Sequence, residues 1–119
     1  MKFTLEPPNP SYARNGSNAK LVWNYSVDDK ETELQGISYS VQVSTDFVLM
    51  LGLKNDGTVT NANTIPDQYK GRVRIEGRAS LVIENVTPQD NTAFQCTLVA
   101  NPGAGQDVTS QVQLIVTGM

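Results

Sequence analysis

Hydrophobic and polar residues alternate along most of this chain. In "ISYSVQV", residues 37–43, Ile37, Tyr39, Val41 and Val43 take one side, and Ser38, Ser40 and Gln42 take the other. A period of two is the repeat of a β-strand, so one face of this segment is expected to be buried and the other wet. The same alternation runs through "AKLVWNYSV" by way of Ala19, Leu21, Trp23, Tyr25 and Val27, through "RVRI" by Val73 and Ile75, and through "SLVI" by Leu81 and Ile83. It returns in "AFQCTLV", which sends Phe94, Cys96 and Leu98 inward, and in "SQVQLIV", which does so with Val112, Leu114 and Val116. No window carries an i, i+3, i+4, i+7 stripe, and "TPQDN" at 87–91 offers one short turn of helix at most.

The chain is therefore expected to be all-β. About seven to nine short strands, separated by turn signals such as "DDKETELQG", "KNDG" and "NPGAGQD", fit a two-sheet sandwich in which each sheet covers the other's apolar face. A closed barrel is the alternative. With 119 residues and no internal repeat or linker, one domain spanning 1–119 is expected. One segment breaks the alternation. "FVLML", residues 47–51, is apolar at both parities, so either it is buried on both sides or one row, assigned to Val48 and Met50, points out of the sheet.

Hydrophobic residues make up 39% and charged residues 18%, with Gly, Pro, Asn, Ser and Thr spread throughout, the make-up of a turn-rich globular chain. Nine Lys+Arg against twelve Asp+Glu give a net charge of -3, and no basic run is present to neutralise a row of phosphates, which argues against nucleic acid. No stretch of about 18 apolar residues is present, and the amino terminus lacks the charged-then-apolar pattern of a secretory signal. Met1 directly before the strand-like "KFTLEP" reads as the start of a fragment whose membrane attachment would come through segments absent from this chain; the alternative is a true cytosolic start, which would look the same.

There is no histidine, and the lone thiol, Cys96, falls on a buried parity where its pKa is raised and it is inert. No catalytic residue is expected. Asp28, Asp29, Glu31 and Glu33 match no calcium-loop spacing and read as a solvated turn, so no metal is expected. "NPGAGQD" lies between two strands and lacks the helix of a phosphate cradle, so it reads as a hairpin loop, with no cofactor or small-molecule substrate implied. A single cysteine argues on its face for a reducing compartment.

The stretch "ASLVIENVTPQDNTAFQC" resembles the E-strand, E–F turn and F-strand signature of the immunoglobulin superfamily. In that family Leu-x-Ile is followed by an Asp, with an aromatic four positions after the Asp and a Cys six after it; here these are Leu81, Ile83, Asp90, Phe94 and Cys96. The resemblance implies that Arg72, at the start of strand D, pairs with Asp90. The family's B strand places a Cys seven residues after a Gly, and seven after Gly16 stands Trp23. Cys96 would then face an indole and no intersheet disulfide forms. Tyr39 occupies the place of the family's strand-C Trp, and Phe94 that of a Tyr whose hydroxyl closes the E–F corner, so that bond is expected to be missing. The exchange of disulfide for indole is energetically balanced. A bridge would contribute roughly 4 kcal/mol by loop closure, and a buried Trp about 4–6 kcal/mol at most by area. Residues 44–71, between strands C and D, leave room for strands C′ and C″, which implies a variable-type (V-set) Greek-key sandwich.

The resemblance implies an extracellular recognition and adhesion module of a cell-surface receptor, binding another protein through the face of strands G, F, C, C′ and C″. The contact residues expected are Ser38, Ser40, Gln42, Val48, Met50, Gln95, Thr97, Gln113 and Ile115. Loss of the B-strand Cys is loosely similar to divergent invertebrate allorecognition receptors, which adds the expectation that like binds like. Three sequons, at Asn15, Asn24 and Asn85, lie on turns or on the outward parity of the A–B–E–D sheet and avoid strands C, C′, F and G, as glycans flanking a free binding face would. The alternatives are an intracellular scaffold domain of immunoglobulin type, in which an unpaired cysteine is natural, and the variable domain of an antigen-binding receptor.

Overall fold

Two β layers cover a shared apolar interior in the computed structural model, which describes residues 1–118 apart from the side chains of Lys30 and Glu31. The strands are β1 (Lys2–Leu5), β2 (Ser11–Arg14), β3 (Ala19–Leu21), β4 (Asn24–Ser26), β5 (Leu34–Val43), β6 (Asp46–Lys54), β7 (Val59–Asn61), β8 (Val73–Glu76), β9 (Ser80–Ile83), β10 (Ala93–Ala100) and β11 (Val108–Thr117). The front sheet runs β2-β11-β10-β5-β6-β7. All its pairs are antiparallel except β2, which lies parallel to β11. The back layer consists of β3-β9-β8 and the β1-β4 pair.

Local chemistry explains most of these elements. The β5–β6 hairpin closes over Ser44 and Thr45, with Ser44 at φ 60, the left-handed geometry that tight hairpin turns require. After β1, the segment through the cis peptide Asn9–Pro10 carries the chain to the front sheet, so its first strands edge both layers. "AKLVWNYSV" does not form one strand: β3 pairs with β9, β4 pairs with β1, and the break falls at Val22 and Trp23. "TPQDN" becomes a 3-10 turn, Pro88–Asp90, closed by a capping box. "DDKETELQG" holds more than a turn, a single helical turn at Lys30–Glu33 in which the Glu33 N–H donates to the Asp29 carbonyl at 2.9 Å.

Trp23 crosses the interior from the back layer. It is buried, its ring centre lies 6.1 Å from that of Tyr39, and its Nε1–H donates to Ser110 Oγ at 2.9 Å. Ser110 in turn donates to Glu6 Oε1 at 2.5 Å. Tyr39 and Ser110 are the residues directly opposite Cys96 on the two neighbouring strands, so the indole reaches both flanks of the thiol. Cys96 is a free, buried cysteine, and burial pushes its pKa up to about 12 against a smaller opposing pull from the Tyr39 hydroxyl. Tyr39, raised above its ordinary value by burial first and Cys96 second, donates its hydroxyl to the Ala79 carbonyl at 2.6 Å.

The lower corner is held by Arg72. Its guanidinium donates to Asp90 Oδ2 at 2.8 Å and to the carbonyls of Gln68, Glu84 and Asn85 at 2.9, 3.1 and 3.1 Å. Asp90 is 2% exposed and also accepts the Thr87 N–H at 2.9 Å, so one charge pair ties the start of β8 to the turn before β10. Phe94 has no hydroxyl for this corner. Tyr69 packs edge-on against it at 5.9 Å, and its own hydroxyl lies buried beside Asp90 without a hydrogen bond of ordinary length. Burial, and then the Asp90 charge, push the Tyr69 pKa up to about 12.

Candidate protein-binding face

Residues directly opposite each other in a sheet share a face, so the strand register defines the front sheet's outer surface. Ser40 lies opposite Gln95 and Leu49, Ser38 opposite Thr97 and Gly52, and Gln42 opposite Phe47. Gln95 lies opposite Gln111, Thr97 opposite Thr109, and Ala93 opposite Gln113. Ser38, Ser40, Gln42, Gln95, Thr97, Gln113 and Ile115 are thus brought onto one surface, each half-buried by its neighbours. Ile115 sits at the far edge opposite Tyr12, which is 68% exposed. Thr97 and Thr109 share a hydroxyl hydrogen bond of 3.1 Å. Gln113 is tied down, its N–H to Asn9 Oδ1 and its Nε2 to the Leu114 carbonyl, both at 3.0 Å.

Val48 and Met50 do not belong to this surface. The register of β5 and β6 slips between Tyr39 and Ser40, because Tyr39 faces Leu51 while Ser40 faces Leu49. Met50 is the extra residue of a β-bulge and is fully buried, with Leu51 beside it. Val48, opposite Val41, takes the inward side. The row that points out is Phe47 and Leu49, and Leu49 is 41% exposed. A bulge inserts one residue and flips the parity beyond it, which accounts for apolar residues at both parities of "FVLML". Ser110 was legible, since it shares the inward parity of Val112 and Leu114 and only its hydroxyl disguised it.

From Gln111 and Gln95 across to Leu49 and Phe47, no position of this surface carries a charge. Near the upper end, Gly36 and Gly52 leave a shallow hollow of about 180 Å³ beside Val99 and Thr60. A Cβ on Gly36 would stand 2.7 Å from the Leu53 carbonyl oxygen, so only glycine fits this close strand approach.

The sequon asparagines lie elsewhere. Asn24 is exposed on β4, its Oδ1 accepting from the Tyr25 N–H at 2.9 Å and from Arg78 at 3.1 Å. Asn85 is exposed in the turn after β9 at φ 51, and Asn15 is half-buried in the turn after β2. Among the described residues no three His, Cys, Asp or Glu side chains gather as metal ligands, and no helix is long and apolar enough to cross a membrane.

No protein-family profile and no curated protein sequence matches this chain. Solved structures do. Murine CRIg superimposes with a TM-score of 0.72 at 16% identity, over 99% of this chain and 100% of that one. The fold is immunoglobulin-like. A chain from a structure of T cell specificity and activation by the bacterial superantigen toxic shock syndrome toxin-1 superimposes with a TM-score of 0.70 at 18% identity, over 94% of this chain and 96% of that one. In immunoglobulin lettering, the front sheet supplies strands G, F, C, C′ and C″ as β11, β10, β5, β6 and β7, which is the variable-type arrangement.

Proposed function

We propose that this chain is an extracellular recognition and adhesion module of a cell-surface receptor, and that it binds a protein partner through the front face of β11, β10, β5, β6 and β7. One observation carries the reading: an outer surface whose centre, from Gln95 and Ser40 to Leu49, bears no charge, with Lys54 only at its upper end, and which presents the half-bare row Phe47 and Leu49 amid Gln, Ser and Thr, on a protein of net charge -3. Charge depletion at the centre with a polar, hydrogen-bonding surround is the make-up of protein interfaces. The three sequons, on turns and on β4, leave this surface free. A second copy of the chain is the finer reading, because glutamine both donates and accepts, so an amide-rich neutral surface is complementary to itself.

Multivalent display tests it, since avidity amplifies a weak contact by about 10²–10⁴. Beads coated with the chain are expected to aggregate. Leu49→Glu and Gln42→Arg should disperse them, and Asn24→Gln should not. Beads that never aggregate would remove the like-to-like reading, and aggregation that survives both charge insertions would remove the face itself.

A further inference from the structure

At one end of the sandwich, where the turn after β6 approaches the turn after β8, lies a cavity of about 420 Å³ that the front face does not use. Its floor is core, formed by Tyr25, Leu34, Ile37 and Ile75. Gly57 and Gly77 leave its walls without side chains. Lys54, Asp56 and Arg78 stand around it.

The two cations at this cavity stand without ion-pair partners. Lys20, Lys70, Arg72 and Arg74 each have a carboxylate within ion-pair distance; among the described residues Lys54 and Arg78 have none, as is also true of Lys2 and Arg14, but only Lys54 and Arg78 line this cavity. Asp56, whose carboxylate accepts the Thr58 N–H at 2.9 Å within its own turn, feels the Lys54 charge without reaching ion-pair distance, and Arg78 has no carboxylate partner among the described residues. Arg78 is held in place. Its guanidinium carbon lies 3.9 Å from the centre of the Tyr25 ring, and Nη1 donates to the Tyr25 carbonyl at 2.5 Å and to Asn24 Oδ1 at 3.1 Å. Nε and Nη2 make no hydrogen bond among the described residues, so a preorganised cation keeps spare donors beside an apolar floor.

We infer that this cavity binds an apolar carboxylate: a ring or branched alkyl body resting on Tyr25, Leu34 and Ile75, with its carboxylate taken by Arg78 and Lys54. A fixed guanidinium with free N–H groups suits a carboxylate better than any neutral acceptor. The volume lies in the range of small-ligand sites, about 300–1,000 Å³. The carboxylate could belong to a free organic acid or to the carboxy terminus of a peptide ending in an apolar residue, and the two share one chemistry.

Amide chemical shifts of the ¹⁵N-labelled chain, titrated with phenylacetate and with a short peptide ending in phenylalanine, test the inference. Saturable shifts are expected at Asn55, Asp56, Gly57, Gly77 and Arg78. Phenylacetamide, phenethylamine and the amidated peptide should leave those amides unmoved. Lys54→Gln should weaken binding about tenfold without altering the rest of the spectrum, and Gln42→Arg on the front face should leave it unchanged. Binding by phenylacetate identifies a free acid as sufficient; binding by the peptide alone identifies a chain terminus. No saturable shift with either probe, equal shifts with phenylacetamide, or an unchanged affinity in Lys54→Gln would overturn the inference.

Discussion

On the back sheet, Lys20 and Arg74 flank Val82 from the two neighbouring strands; Lys20 reaches Glu76 at 3.0 Å, and Arg74 reaches Glu76 and, at 3.3 Å, Glu84. Under this lattice Val82 is 2% exposed although it points away from the core. The corresponding row of the front sheet, Gln95 and Ser40 with Leu49 beside them, carries no ion pair and leaves Leu49 bare. The back sheet covers its apolar outward residue with its own charged side chains. A partner docking there would have to strip water from several charges for little return. The front sheet leaves its apolar row uncovered and presents amides and hydroxyls, which a partner can satisfy without burying a charge.

The sharpest way to probe this contrast is on β6, where neighbouring residues face opposite ways. Met50→Glu, which forces a carboxylate into the core, should cost more than about 4 kcal/mol and unfold the chain, as read by a thermal melt. Leu49→Glu, one residue away, should change stability by no more than about 0.5 kcal/mol. Equal effects would mean that the bulge is misplaced and that the bare row is not Phe47 and Leu49.

Both faces depend on the frame between them. Trp23→Ala should lose about 3–5 kcal/mol in denaturant unfolding. Ser110→Ala, which strands the indole N–H, should lose about 1–3 kcal/mol. At the lower corner, Arg72→Ala or Asp90→Ala should each cost about 3 kcal/mol, and the double variant less than their sum, because either single change leaves an uncompensated charge. Simple additivity in that cycle would contradict the pairing.

A smaller effect follows from the buried acids. Cys96 has its folded pKa raised from 9.0 to about 12, so between those values the folded chain holds a proton that the unfolded chain has released. Stability is fully present below pH 9 and should fall as pH rises, by about 1.4 kcal/mol per pH unit for this group. Tyr69, raised from 10.0 to about 12, adds to the loss above pH 10. Cys96→Ala should flatten the slope between pH 9 and 10, which stability curves at stepped pH would show.

Much of this arrangement is visible in residue order. Period-two alternation locates β5, β10 and β11, because a two-sided sheet must repeat every second residue. The spacing from Asp90 to Phe94 and Cys96 marks the corner, since the turn and the strand after it have fixed lengths. The split of β3 from β4 was not visible, because the apolar parity of Ala19, Leu21, Trp23 and Tyr25 runs unbroken while the pairing partner changes from β9 to β1. The outward row was misassigned for a related reason: a bulge depends on pairing across strands, and one strand's sequence shows only that both of its parities are apolar. The cavity beneath the turn after β6 was hidden too, since it joins residues from β4, β5, β6 and β8.

The most direct test of the front-face assignment is a concentration series of amide chemical shifts on the isolated chain. The account predicts shifts that grow with concentration and concentrate on Ser38, Ser40, Gln42, Phe47, Leu49, Gln95 and Thr97, and that vanish in Leu49→Glu. Shifts centred on Lys20, Arg74 and Val82 of the back sheet, or front-face shifts that persist in Leu49→Glu, would contradict it.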